Sequence, residues 1–186
     1  PTTNILIALS STMGDPNHTS LLPPPSIPSS YVSGQGNMTA MEDTANQHFI
    51  IGDNLRHKAF YEDAIDEFQK ALHIQEPLLG AESVAVARTH YCLGLALRAI
   101  RNYTQALYHL NKASSSYENQ VGDLLSGETV NFTQEILDCK LNMARSHHSQ
   151  GVEFQRSGEQ DRSIVEHRKA LAIREHLLGR TSLESA

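Results

Sequence analysis

From Met41 onward, apolar side chains recur at helical spacing. Ala64, Phe68, Ala71 and Gln75 step by 4, 3 and 4, and Ile65 and Leu72 widen the stripe. Tyr103, Ala106, Leu107, Leu110 and Ala113 form the same kind of stripe further on. No segment alternates with period two, and Val and Ile are not gathered as a strand would gather them. The pattern predicts an all-α fold beginning near residue 41.

Before that point the pattern is absent. Six of the seven prolines lie within the first 28 residues, and Asp15 is the only charged residue before Glu42. Such a stretch buries too little apolar surface to offset chain entropy, so 1–40 is expected to be disordered. Leu21-Leu22-Pro23-Pro24-Pro25 suits a polyproline II segment or an inert tail. The longest aliphatic run, Ile5 to Leu9, is far short of the roughly 20 residues that cross a bilayer, so no membrane partner is expected. A net charge of −6, from 15 Lys+Arg against 21 Asp+Glu, argues against nucleic acid as a partner. Two cysteines, Cys92 and Cys139, are too few for a disulfide framework and suggest a reducing, cytoplasmic setting. The first residue is Pro rather than Met, so the chain reads as a piece of a longer protein.

Internal repetition sets the architecture. Gly52, Tyr61, Ala64 and Ala71 recur 42 residues later as Gly94, Tyr103, Ala106 and Ala113. A third copy lies 99 residues from the first. There Gly52, Ile65, Lys70, Ala71, Leu72, Ile74, Glu76, Leu78, Leu79, Gly80 and Ser83 match Gly151, Ile164, Lys169, Ala170, Leu171, Ile173, Glu175, Leu177, Leu178, Gly179 and Ser182. Turn signals sit at Lys58-Ala59-Phe60-Tyr61, Arg101-Asn102-Tyr103 and Ser157-Gly158. Repeats are therefore expected at about 41–81, 82–120 and 134–180, with an insertion at about 117–133 and a further repeat opening at 182.

This arrangement resembles the tetratricopeptide repeat, in which paired antiparallel helices pack through small residues at positions 8, 20 and 27. Gly52, Ala64 and Ala71 fill those slots, as do Gly94, Ala106 and Ala113, then Gly151, Ser163 and Ala170. A minimal side chain lets two helix backbones approach closely. The 42-residue period with Leu-Leu-Gly after the second helix resembles the kinesin light chain type. The resemblance implies a right-handed solenoid that binds proteins. Position 4, usually large and apolar, departs from the family as His48, His90 and His147. Ile173, Leu177 and Leu178 leave an apolar face where a polar cap is customary, so further repeats are expected to follow.

In this family, positions 2, 5, 9 and 12 of the first helix line the concave wall. They are Asn46, Phe49, Asp53 and Arg56, then Arg88, Tyr91, Leu95 and Arg98, then Arg145, His148, Val152 and Gln155. A ring stands at position 5 each time, and the stripe carries about +3 on an acidic chain. Such a row could grip an extended acidic or phosphorylated peptide, since arginine's planar fork matches a carboxylate. Equally, Phe49 and Tyr91 could pack between helices while the arginines pair with nearby acids. The family's clamp for C-terminal carboxylates needs asparagines at positions 6 and 9. Ile50, Cys92 and Ser149 stand at the first, and Asp53, Leu95 and Val152 at the second.

Ten histidines raise the question of a metal, yet three at one structural position should stack as a column and not converge on a point. His147 and His148 diverge by about 100° on a helix. No nucleophile–base signature or phosphate loop occurs. Cys92 and Cys139 read as inert core thiols. The expectation is a non-catalytic adaptor without cofactor or metal. The alternative is a helical arm of a larger enzyme or regulator whose catalytic part lies elsewhere. The sequence does not specify the oligomeric state.

Overall fold

In the computed structural model, residues 29–122 and 133–184 are described, with side chains over 37–120 and 133–179. The polyproline stretch and most of the 117–133 insertion lie outside the described residues. Six helices follow in order: α1 (Ser29–His57), α2 (Tyr61–Leu79), α3 (Val84–Ala99), α4 (Tyr103–Gly122), α5 (Thr133–Arg156) and α6 (Gln160–Glu184). There is no strand among the described residues. Each helix packs on the next, while α1 also reaches α3 and α3 reaches α5. The result is three stacked helix pairs, a repeat solenoid.

The nine small positions explain the pairing. Gly52, Gly94 and Gly151 are buried, as are Ala64, Ala71, Ala106, Ala113, Ser163 and Ala170. A Cβ at Gly94 would sit 2.8 Å from Leu110 Cγ, and one at Gly52 would sit 3.0 Å from the Phe68 ring. At Gly151 the obstruction is His167, whose Cε1 lies 2.8 Å away. Each glycine thus marks where its helix touches its partner most closely.

The three turns within pairs share one geometry. Ala59, Arg101 and Gly158 occupy one repeat position and all take left-handed backbone, at φ 65°, 64° and 83°. Backbone N–H groups of Phe60, Asn102 and Glu159 then donate to the carbonyls of Leu55, Leu97 and Phe154 at 2.8–2.9 Å. This is the Schellman closure of a helix C-terminus. Between pairs, Gly80 ends α2 at φ 84°, and the Ser83 hydroxyl accepts from Val86 N to cap α3.

The core runs continuously between pairs. Ile65, Phe68 and Leu72 of α2 pack with Val86, Leu93 and Leu97 of α3, and Phe49, Leu55 and Tyr91 border that cluster. A second cluster joins Ala87, Ala113, Tyr117 and Cys139, with Tyr91 and Ile136 against it. Tyr91 therefore belongs to both. A fully buried polar contact joins α3 to α2: the Thr89 hydroxyl donates to Gln75 Oε1 at 2.7 Å.

Three helices run beyond the expected boundaries. α1 begins at Ser29, about three turns before residue 41. α4 continues to Gly122 because Tyr117, assigned to the insertion on sequence, is 3% exposed and anchored beside Cys139. α6 passes through Leu178-Gly179 and stays helical to Glu184, where a linker opening another repeat was expected.

Candidate functional site

Positions 2, 5, 9 and 12 come from α1, α3 and α5, the first helix of each pair. Their surroundings differ from repeat to repeat. Phe49 is half-buried, tilted against Phe68 with ring centroids 5.8 Å apart. The Arg88 guanidinium lies over the Phe49 ring, 4.8 Å from its centroid, so a cation–π contact joins α1 to α3. Tyr91 is also half-buried, and its hydroxyl meets Asn142 Nδ2 of α5 at 3.4 Å. Burial pushes the Tyr91 phenol above its ordinary value, with the Asp138 carboxylate adding to the shift. His148 is exposed and stands 5.1 Å, ring to ring, from His167 of α6. Position 5 thus both supports the pairing of helices and presents a ring edge.

The arginines divide into two kinds. Arg56 donates to Asp53 Oδ1 at 2.6 Å on its own helix, and His57 lies 3.6 Å from the other oxygen. Arg88, Arg98 and Arg145 make no ion pair among the described residues. Arg145 has only a long 3.5 Å contact to Asn142 Oδ1. Arg98 Nε is buried without a hydrogen-bond acceptor. By contrast, Arg101 and Arg156 pair with Glu153, Arg162 with Glu159, Lys70 with Glu67 and Lys169 with Glu166. Asn46 and Gln155 are exposed, while Leu95 and Val152 are half-buried.

At the last pair, Arg145 and Arg174 border an open groove of about 460 Å³ floored by Leu137, Leu141, Leu177 and Leu178. Guanidinium groups over leucines suit a ligand that is both acidic and apolar.

The histidine column is built differently from what position 4 alone suggested. His48 Nδ1 donates to Glu67 Oε2, and His147 Nδ1 to Glu166 Oε2, both at 2.6 Å. His90 instead shares an Nδ1–Nδ1 hydrogen bond of 2.9 Å with His109, with Glu76 3.5 Å from its other nitrogen. The three partners lie 19 residues on, at one position of the second helix. Lys70, then His48, hold the Glu67 carboxyl below its usual range by hydrogen bonding. For Glu166, burial raises the value, but Lys169 and His147 together outweigh it and the net shift is downward. Burial presses His90 down to about 4, helped by Lys112, and presses His109 to about 4, helped by His90. Among the described residues no three His, Cys, Asp or Glu converge on a metal position. Cys92 and Cys139 are buried free thiols pushed up by burial to about 11 and about 12, which suppresses thiolate chemistry.

These features define a class: an α-helical repeat array whose first helices present one wall. The tetratricopeptide repeat family matches residues 43–119, which covers the first two pairs. Among curated proteins, the chain is 34% identical over 80 residues to the human nuclear autoantigenic sperm protein, covering 43% of this chain and 10% of that one. The bovine protein of the same name is 32% identical over 80 residues, again covering 43% of this chain and 10% of the relative. The rabbit protein is also 32% identical over 80 residues, covering 43% of this chain and 12% of the relative. The match thus spans about a tenth of these relatives' length. Tetratricopeptide repeats generally mediate protein–protein contacts.

Proposed function

We propose that this chain is a non-catalytic interaction scaffold that holds an extended acidic peptide along the wall formed by α1, α3 and α5. The observation that carries the reading is the charge left over there. Arg88, Arg98 and Arg145 have no carboxylate partner among the described residues of a chain whose net charge is −6. A ligand bearing Asp, Glu or phosphate would supply the missing acceptors, and Phe49, Tyr91 and the leucine-floored groove would take its apolar side chains. Kinesin light chain-like spacing belongs to this proposal, as does a right-handed twist of the array. The test is fluorescence polarisation with labelled acidic peptides. Affinity should fall steeply with salt and by at least about tenfold in the Arg88→Glu, Arg98→Glu double variant. Binding indifferent to both would remove the groove from consideration.

A second reading, that these repeats form an arm of a larger protein, is supported by the small share of each relative they match. A catalytic part would then lie outside these 186 residues. Two buried cysteines, too few for a disulfide framework, favour a reducing compartment, cytoplasmic on sequence grounds. The word nuclear in the relatives' name makes the nucleus the alternative. Imaging of a fluorescently tagged chain separates the two.

A further inference from the structure

The turns of the first two pairs break a pattern that the remaining turn positions keep. Just ahead of α2, α4 and α6, one repeat position is filled by Phe60, Asn102 and Glu159. Asn102 Oδ1 accepts from Gln105 N, and Glu159 accepts from Ser157 and Arg162, so both are satisfied polar residues. Phe60 makes no capping bond and is 57% exposed. The residue that closes a helix in this way often folds back onto it, yet Phe60 stays more than half in solvent. Two places earlier in the turn stand Lys58, Ile100 and Ser157, and Ile100 is 39% exposed. Each exception gives up a local preference of the chain, and such concessions collect where a surface serves a partner.

The two exceptions come together. Phe60 and Ile100, from successive turns, line one open pocket of about 300 Å³ with Ala59, Tyr61, Glu62 and Asp63. It is built from two adjacent turns and the start of α2, not from a helix face on which pairs stack. Glu62 and Asp63 are exposed and form no ion pair among the described residues, and no cationic side chain lines the pocket. Two unpaired carboxylates beside an apolar floor complement an apolar side chain with a cation next to it. We propose that this pocket docks a segment of another protein in which a leucine-sized residue adjoins lysine or arginine. The site is separate from the wall of α1, α3 and α5, whose proposed ligand carries the opposite charge.

So small a contact binds a short peptide weakly, with a Kd of roughly 1 mM, which suits NMR. The probe is the end-blocked peptide Lys-Leu-Leu-Lys, titrated into the isotope-labelled 186-residue chain at low salt. Amides of 58–63 and 99–102 should shift together, and added salt should weaken the binding. Glu-Leu-Leu-Glu, and the first peptide with alanine for leucine, should leave them unmoved. Phe60→Asn, which installs the residue of the second pair, should abolish the shifts while the urea midpoint holds or rises, because a cap is gained. The Glu62→Gln, Asp63→Asn double variant should bind about fivefold more weakly and lose the salt dependence. No shift at these amides, equal shifts from the acidic peptide, or shifts that persist in Phe60→Asn would each overturn the proposal. Shifts of the same amides on dilution alone would assign the pocket to a second copy. Movement of amides within 1–28 in Phe60→Asn would assign it to the chain's own N-terminal segment. Either result overturns the proposal as well.

Discussion

Replacing Gly94 by alanine sets two effects of opposite sign against each other. The added Cβ would stand 2.8 Å from Leu110 Cγ, 3.1 Å from Leu110 Cδ2 and 3.3 Å from the Ala106 carbonyl oxygen. Leu110 is 0% exposed, and so is Ala106, so neither can swing into solvent; α3 and α4 must part. Overpacking of this kind costs about 1–3 kcal/mol, against a gain of about 1 kcal/mol for alanine over glycine within a helix. The net expectation is a loss of up to about 2 kcal/mol, and valine, with a larger clash and poorer propensity, should lose more. Gly52→Ala should cost somewhat less, since its nearest atoms are 3.0 Å away on Phe68. Gly151→Ala should be nearly neutral, because the obstructing ring belongs to half-buried His167, which can rotate outward. Gly179→Ala serves as the control: nothing lies within 4 Å of a Cβ there, so only the propensity gain of up to about 1 kcal/mol remains. Urea unfolding followed by far-UV circular dichroism measures all four. A Gly94→Val protein as stable as wild type, or an order of alanine losses other than Gly94, Gly52, Gly151, would refute close backbone approach as the basis of the pairing.

Other expectations follow from the turns, the buried histidines and the groove. Ala59→Gly should stabilise by about 0.5–1 kcal/mol by relieving left-handed strain, whereas Gly158→Ala should destabilise by about 1 kcal/mol; melting curves show both. His90 and His109 are held near 4 when folded, while an unfolded imidazole titrates at about 6.5, so the unfolded state binds more protons between those values. Stability should be level above about pH 6.5 and decline by a few kcal/mol toward pH 4. Urea midpoints across that range should flatten in the His90→Leu, His109→Leu double variant. Glu67 and Glu166, shifted downward, add their losses only at lower pH, as their carboxylates take protons. Asp53→Asn removes the one acid on the wall and frees Arg56, so acidic peptides should bind about 2–5-fold more tightly in fluorescence polarisation.

The repeat positions were legible in the sequence because each answers to one local demand. A small residue is needed wherever two backbones meet, and all nine proposed small positions are buried. Helix ends were less legible, because they depend on what lies beyond. Leu-Leu-Gly occurs after Pro77 and again at Leu177, yet Gly80 turns to φ 84° and Gly179 remains helical. The difference is context: past Gly80, Ser83 caps a helix that docks on α2, whereas among the described residues no helix follows α6. The left-handed turn residue was visible only where it is glycine, at Gly158. Alanine and arginine hide the same geometry at Ala59 and Arg101. For the histidine column, the partners Glu67, His109 and Glu166 share the repeat offsets of His48, His90 and His147. Reading the second helix at the same register would have paired them.

Arg98 offers a way to separate a wall built for binding from one that only holds helices together. A buried donor left without an acceptor costs the free protein roughly 1–3 kcal/mol, and the lower end applies here because the side chain is only half-buried. A side chain that served packing alone would gain from losing that donor while keeping its length. Arg98→Met does this: it retains the apolar stem and removes Nε together with the charge. If the donor is reserved for a ligand, the variant should unfold at higher urea, by about 1 kcal/mol, and bind acidic peptides about tenfold more weakly. Stability and affinity would then move in opposite directions at one residue, as expected where a site is kept unsatisfied for a partner. Unchanged affinity, whatever the change in stability, would make Arg98 a packing residue. The charge of the wall would then rest on Arg88 and Arg145 alone.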